Sequence, residues 1–226
     1  MDWEYHPVRF AADHAPELPL TYMTNGAWSG HRRFAYDLVR FAKPRLIAEL
    51  GTLYGTSFFS FCQAVKDGNL PARCFAVDTW QGDMHTGYYG GDHIYEAVQS
   101  VTLREFPGIG YLVRSHFDQA LAGFPDGSVD LLHIDGYHTY DAVLHDYTTW
   151  YPKLAENGIV LFHDIVVRLG DFGVYRLWEK LSGGHPHLQF PHSNGLGVLF
   201  PKGCPPAFQA LLAHKDELIA QYIDRA

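Results

Sequence analysis

A chain of 226 residues, 47% hydrophobic and 19% charged, has the composition of one folded domain with a sizeable core, and no low-complexity tract or repeat. Its formal charge of −8, with 17 lysines and arginines in no basic run, argues against nucleic acid as a partner. Cys62, Cys74 and Cys204 are odd in number and lack CxxC spacing, so neither a disulfide framework nor a thiolate zinc site is expected.

The start, MDWEYHPVRF, has no basic segment leading into an apolar stretch, and no apolar run reaches the roughly 18 residues of a membrane span. A soluble, cytoplasmic protein without a membrane partner is the expectation, as a single domain over 1–226. Its first 30 residues, with Pro7, Pro16, Pro19, Gly26 and Gly30, predict an irregular segment or lid ahead of a core over 31–226.

From His31 to Ala42 the apolar spacing predicts an amphipathic helix that Pro44 ends. RLIAEL (45–50) reads as a buried strand, GTLYGTS as a turn, and FFSFCQAV (58–65) as a helix stopped at Asp67-Gly68-Asn69. CFAVD (74–78) is a second strand, followed by the glycine-rich loop TWQGDMHTGYYGGD (79–92) and a helix over 93–105. Further strands are predicted at 110–115, 129–135 and 159–163, with helices at 118–123, 139–154 and 171–182. The chain closes with an antiparallel pair, 188–191 and 196–200, around His192-Ser-Asn-Gly195, and a helix over 206–224.

Strands alternating with helices predict an α/β fold: a Rossmann-like, doubly wound, mostly parallel sheet with helices on both faces. Ligands of such sheets sit beyond the carboxyl ends of the strands. Four apolar runs end there in acids, Glu49, Asp78, Asp135 and Asp164.

The first strand–helix turn, ELGTLYGTS, carries GxxxG after an acid, without the GxGxxG of a dinucleotide site or a GK[ST]. Glycine there admits close backbone approach, and the helix start offers free N–H groups. A carboxylate at Glu49 repels phosphate but suits an ammonium group, and Asp78 is placed to accept from ribose hydroxyls. A nucleoside carrying an amino acid, S-adenosylmethionine, satisfies both. The predicted cofactor residues are Glu49, Gly51, Thr52, Gly55, Ser57, Asp78, Thr79, Trp80 and Ser115, with Trp80 as a flat side chain near the adenine.

ELGTLYGTS, AVDTW, LLHIDGYHTYDAV and GIVLFHDI together resemble the class I S-adenosylmethionine-dependent methyltransferases over about residues 45–200. The subgroup most similar is the bacterial O-methyltransferases associated with sugar and polysaccharide pathways. These are related to the macrolide-sugar O-methyltransferases and the cephalosporin hydroxylase family. The resemblance implies a seven-stranded sheet with an antiparallel last strand, and Glu49, Gly51, Gly55 and Asp78 around the cofactor.

It also implies a metal site from acids at the ends of the fourth and fifth strands. Two converging carboxylates repel unless a proton or a cation lies between them, and Mg²⁺ suits oxygen ligands. The expected ligands are Asp135, His163 and Asp164; His163 stands where the relatives have an acid, which leaves three outcomes open: weaker Mg²⁺ binding, a softer ion such as Mn²⁺, or no metal. His138, three residues after Asp135, is the expected general base for an acceptor hydroxyl, with Asp135 beside it. The loop 79–92 reads as a lid over the cofactor or the acceptor, and its tyrosines and polar side chains suit a sugar or glycoside.

His133 shares a strand face with Asp135 but lies deeper and reads as a hydrogen-bonded core histidine, while His145 and Asp146 read as a solvated helix face. Two other functions fit the same residues. A metal-dependent hydrolase would act without a nucleoside cofactor and leaves Glu49 and Asp78 unexplained. A non-catalytic cofactor-binding module would keep binding after His138→Ala. Composition leaves homo-oligomers open.

Overall fold

The computed structural model describes residues 3–224. Two helices, α1 (Leu20–Asn25) and α2 (Arg32–Ala42), precede β1 (Leu46–Leu50), α3 (Thr56–Gly68) and β2 (Arg73–Asp78). A small ribbon, β3 (Gly82–Asp83) and β4 (Gly87–Tyr88), leads to α4 (His93–Glu105), β5 (Gly110–Arg114) and α5 (Phe117–Ala120). Then come β6 (Val129–Ile134), α6 (Tyr140–Trp150), β7 (Leu154–His163) and α7 (Val174–Ser182). The chain ends with β8 (His187–Phe190), β9 (Leu196–Leu199), α8 (Pro206–Leu212) and α9 (Lys215–Ile223).

Seven strands form one sheet in the order β5-β2-β1-β6-β7-β9-β8. β9 runs antiparallel to both its neighbours, and every other adjacent pair is parallel. The expected Rossmann-like sheet with an antiparallel last strand is therefore present. The chain winds outward from β1 in one direction and from β6 in the other, so the crevice beyond their carboxyl ends is the switch point.

Strand alternation then assigns faces. Ile47, Leu131 and Leu161 join the core that holds Phe34 and Leu38 of α2 and Phe58 and Phe61 of α3. Ala48, Leu50, Leu132, Ile134, Val160 and Phe162 join the core under α6 and α7. Glu49, His133 and His163 share the parity of the first set and point beneath α2 and α3, which decides their chemistry. Local rules set the boundaries. α2 stops where Lys43 turns left-handed ahead of Pro44, and α6 starts at Thr139, whose Oγ1 accepts from the Ala142 N–H at 3.3 Å.

Three expectations change. The segment before residue 31 is no loose lid: Trp3, Phe10 and Trp28 are buried, and Trp3 Nε1 donates to the Tyr222 hydroxyl at 2.9 Å. Its aromatic residues carry enough apolar area to join the core. The strand predicted over 159–163 begins at Leu154, because Asn157 takes φ 59° and donates its N–H to Lys202 O (3.1 Å), holding a turn-like triplet in the strand. The last helix breaks in two at Ala213–His214. Among the described residues no helix is long and apolar enough to cross a membrane.

Candidate active site

Gly51, just past β1, takes φ 87°, and a Cβ there would lie 2.0 Å from the carbonyl oxygen of Asp135. Only glycine lets the ends of β1 and β6 touch. Asp78, at the end of β2, fastens the same turn. Its Oδ2 accepts from the N–H of Thr52 (2.8 Å) and Leu53 (3.1 Å), and its Oδ1 from the N–H of Trp80 (2.7 Å). Three of its about four lone-pair positions are used, leaving one for a ligand. Gly51, Thr52, Ser57, Asp78 and Thr79 line a cleft of ≈ 1090 Å³ that runs on to Asp135, His138, His163 and Asp164.

Four of the residues predicted at the cofactor lie behind that lining. Glu49 is completely buried, its Oε1 accepting from His133 Nδ1 (2.9 Å) and its Oε2 from the Thr52 hydroxyl (2.9 Å). It sits one residue short of the strand end, on the inward parity, so it is not exposed to a ligand's ammonium group. Gly55 is the left-handed residue before α3 (φ 82°). Trp80 is buried, its indole donating to Leu53 O (3.0 Å) and lying edge-on to Tyr95, so its ring braces the turn from below. The Ser115 hydroxyl donates to His116 O, and His116 is the residue that reaches the cleft.

On the opposite wall the predicted acids and histidines do converge. His138 Nε2 lies 2.9 Å from Asp164 Oδ2 and 3.7 Å from Asp135 Oδ1, and His163 Nδ1 lies 3.3 Å from Asp135 Oδ1 and 3.5 Å from Asp164 Oδ2. Burial alone would raise both carboxyls, but the rings of His163 and His138 outweigh it and hold both well below the usual range. Burial likewise opposes charge on the rings, yet Asp135 and Asp164 push His138 up to about 9 and His163 well above an ordinary histidine. Each carboxylate thus favours charge on the rings, and each ring favours charge on the carboxylates.

A divalent cation fits this donor set. Asp135, His138 and Asp164 each turn a ligand atom to within 4.8 Å of the others, with His138 standing in this group where His163 was expected; His163 Nδ1 faces the same two carboxylates at 3.3 and 3.5 Å. Asp164 Oδ1 is buried without a hydrogen-bond partner. His163 donates from Nε2 to Ser193 O at 3.0 Å, the outer bond a ligating histidine commonly makes. The hairpin turn is thus more than a connection, since the same Ser193 carbonyl also faces His31 Nε2 at 3.1 Å.

His133 is the hydrogen-bonded core histidine expected, donating to Glu49 and accepting from Trp28 Nε1 (3.1 Å). His145 is exposed and meets Asp118 at 2.9 Å. Its neighbour Asp146 corrects the reading of a solvated face: it is 7% exposed, packed under Gly136, and burial pushes its carboxyl up to about 7. Sequence reasoning missed Phe172 and the part His85 plays. Phe172 stacks on His138 (4.8 Å) and on His85 (4.4 Å), and His85 is carried in by the β3–β4 ribbon. The only signal for them was their place in loops that follow strand ends.

Residues 48–165, more than half of the chain, match the methyltransferase domain family, and the chain belongs to it. It is 46% identical over 191 residues to the uncharacterized protein y4gI of Sinorhizobium fredii, covering 83% of this chain but 21% of that one. The chain thus spans about a fifth of that relative's length. Among solved structures, the O-methyltransferase TomG of Streptomyces achromogenes, in complex with SAM, superposes with a TM-score of 0.56 at 16% identity, over 80% of this chain and 90% of that one. A methyltransferase from Geobacter sulfurreducens gives 0.56 at 18% identity, over 76% and 78%. The SAH-bound Podospora anserina methyltransferase PaMTH1 gives 0.53 at 17%, over 74% and 76%.

Proposed function

We propose that this chain is an S-adenosylmethionine-dependent O-methyltransferase whose acceptor is a hydroxyl of a sugar or glycosylated small molecule. The observation that carries the reading is a single cleft joining the Asp78-fastened glycine turn to the Asp135–His138–His163–Asp164 cluster. When bound, S-adenosylmethionine supplies a methyl group on a sulfonium, and a divalent ion lowers the pKa of the acceptor hydroxyl.

The chain's own residues do the rest. Asp78 orients a ribose through its remaining lone pair, and the start of α3, with Thr56 and Ser57 on the cleft wall, offers unpaired N–H groups to a carboxylate. Asp135, Asp164 and Nδ1 of His163 would hold the ion, whose charge would offset the two carboxylates and leave His138 neutral, and imidazole in the set favours Mn²⁺ over Mg²⁺. His138 Nε2 receives the hydroxyl proton. Tyr88, Tyr89 and Tyr137 along the cleft suit a carbohydrate ring, and positioning is the main catalytic contribution. Three free cysteines, Cys62 and Cys74 buried and Cys204 half-buried, agree with a cytoplasmic setting.

Calorimetry with S-adenosylhomocysteine tests the reading. Micromolar binding, about −8 kcal/mol, that is lost in Asp78→Ala supports it. No binding with either Mn²⁺ or EDTA present sinks it, and binding that ignores the ion confines the metal to the acceptor side.

A further inference from the structure

A single exposed apolar side chain needs no explanation, but a group of them at the mouth of a cleft does. Among the described residues the three most exposed large apolar side chains are Met84 (76%), Tyr88 (76%) and Leu169 (73%). All three stand on two turns that meet beside His138. Asp83 Oδ1 accepts from the N–H of His85 (2.7 Å) and of Thr86 (2.8 Å), which closes the ribbon turn carrying Met84, and Tyr88 follows on β4. The second turn runs from Leu169 to Phe172, with the Phe172 N–H donating to Leu169 O at 3.1 Å and Gly170 at φ 55°. The His85 ring stacks on Phe172 at 4.4 Å, and His85 Nε2 lies 2.7 Å from Asp171 Oδ1, so the turns are in contact. Phe172 stacks on His138 as well, at 4.8 Å. Outward from His138 the wall therefore changes from buried polar rings to bare apolar side chains.

The charges on the wall limit what can cover that rim. Tyr88 and Leu169 line the same cleft as Asp135 and His138, so a ligand whose hydroxyl reaches His138 extends outward past them. Among the described residues Arg168 is the only lysine or arginine on the cleft wall. Its Nη2 already donates to Glu179 Oε1 at 2.9 Å, and its guanidinium lies 4.1 Å from the centre of the Tyr175 ring. No free cation remains there for a diphosphate or a carboxylate, which call for one. A net charge of −8 likewise works against an anionic membrane surface. An uncharged apolar group suits the rim, and continuity with the cleft makes it part of the acceptor.

We propose that the acceptor is an amphipathic glycoside, with its sugar hydroxyl at His138 and an uncharged alkyl or aryl aglycone lying on Met84, Tyr88 and Leu169. This rests on the O-methyltransferase reading and narrows it, against free sugars, sugar nucleotides and polysaccharide. Tyr88 stands where the two parts meet, since a phenol ring suits both a sugar and an apolar chain. Met84 belongs to the ribbon and Leu169 to the facing turn, so one aglycone covers side chains from both.

The test is calorimetry on the full chain, loaded with S-adenosylhomocysteine and Mn²⁺. The probes are n-alkyl glucosides from methyl to hexyl, and n-alkanols of the same lengths, below micelle formation. A half-covered methylene contributes roughly 2-fold in affinity, so hexyl glucoside is expected to bind about 30-fold more tightly than methyl glucoside. Met84→Ser combined with Leu169→Ser, two exposed positions, should cut that gain to about 3-fold and leave S-adenosylhomocysteine affinity unchanged. A flat response to chain length, or a gain that the double variant keeps, overturns the proposal. A change of oligomeric state in the double variant, read by sedimentation, also overturns it and assigns the rim to contact between copies. Glucosides that bind no more tightly than alkanols of equal length strike the sugar half of the proposed function and leave the apolar subsite standing. Absent S-adenosylhomocysteine binding strikes the methyltransferase reading itself, and the same series on the unloaded protein still decides the rim.

Discussion

His133 and His163 end neighbouring strands on the same sheet face, yet they face opposite conditions. β6 and β7 pair up to Ile134 and Phe162, so on the β6 side His163 stands just past the paired stretch, although it still pairs with Leu196 of β9, while His133 lies inside it. His133 is completely buried with every polar atom in use: Nδ1 donates to Glu49 and Nε2 accepts from Trp28. His163 has one satisfied nitrogen and turns the other toward two carboxylates at 3.3 and 3.5 Å, one of which has an orphaned oxygen. A histidine–acid pair one step inside the edge is structure, and one step outside it is chemistry. Buried polar groups need partners, and a deficit persists only where a ligand or a charge supplies the missing one.

Asp146 breaks that division most sharply, as an acid buried behind the cleft, where burial outweighs the charge of the adjacent His145. Burial raises its carboxyl to about 7 from an ordinary 3.8. The folded protein therefore holds this proton more tightly than the unfolded chain, and stability should fall as pH rises from about 4 to about 7, then level off. Asp146→Asn should remove this slope and gain up to about 4 kcal/mol near pH 8, read from urea midpoints at about pH 4 and pH 8. An unchanged slope would place the titration elsewhere.

Inside the edge, Glu49→Ala should cost about 3 kcal/mol. It leaves the His133 Nδ1–H and the Thr52 hydroxyl as unpaired buried donors, and each such group costs roughly 1–3 kcal/mol. Denaturant unfolding measures this, and a loss of cofactor affinity without loss of stability would return Glu49 to the site. Trp28→Phe is the mildest probe. It keeps the aromatic packing, removes only the bond to His133 Nε2, and should cost about 1 kcal/mol with S-adenosylhomocysteine binding unaffected.

The convergence of Asp135, His138 and Asp164 was readable because Asp135 ends one apolar run with His138 three residues behind it and His163-Asp164 ends another, and an α/β sheet gathers such run ends at one edge. Glu49 was misread for the same reason: its run ends at Leu50, one residue later, and a single step along a strand reverses the face. Trp80 was misplaced because its φ of 53° swings the ring under the turn, a conformation nothing in AVDTW announces. The contacts of His85 were out of reach because it meets His138 and Asp171 across 53 and 86 positions of sequence, and loop partners carry no period to read.

The sequence by itself determined the alternation of strands and helices, the parallel sheet with its reversed last strand, and the edge at which polar residues gather. These follow from local apolar periods and from glycine and proline positions, which act within a few residues. Tertiary structure alone decided which of those polar residues are sealed and which stay open. Hydrogen-bond partners are supplied by segments distant in sequence, as Trp28 serves His133, Ser193 serves His163 and His85 meets His138. A pattern of hydrophobicity determines where a side chain sits, but only its assembled neighbours determine whether its donors and acceptors are already in use.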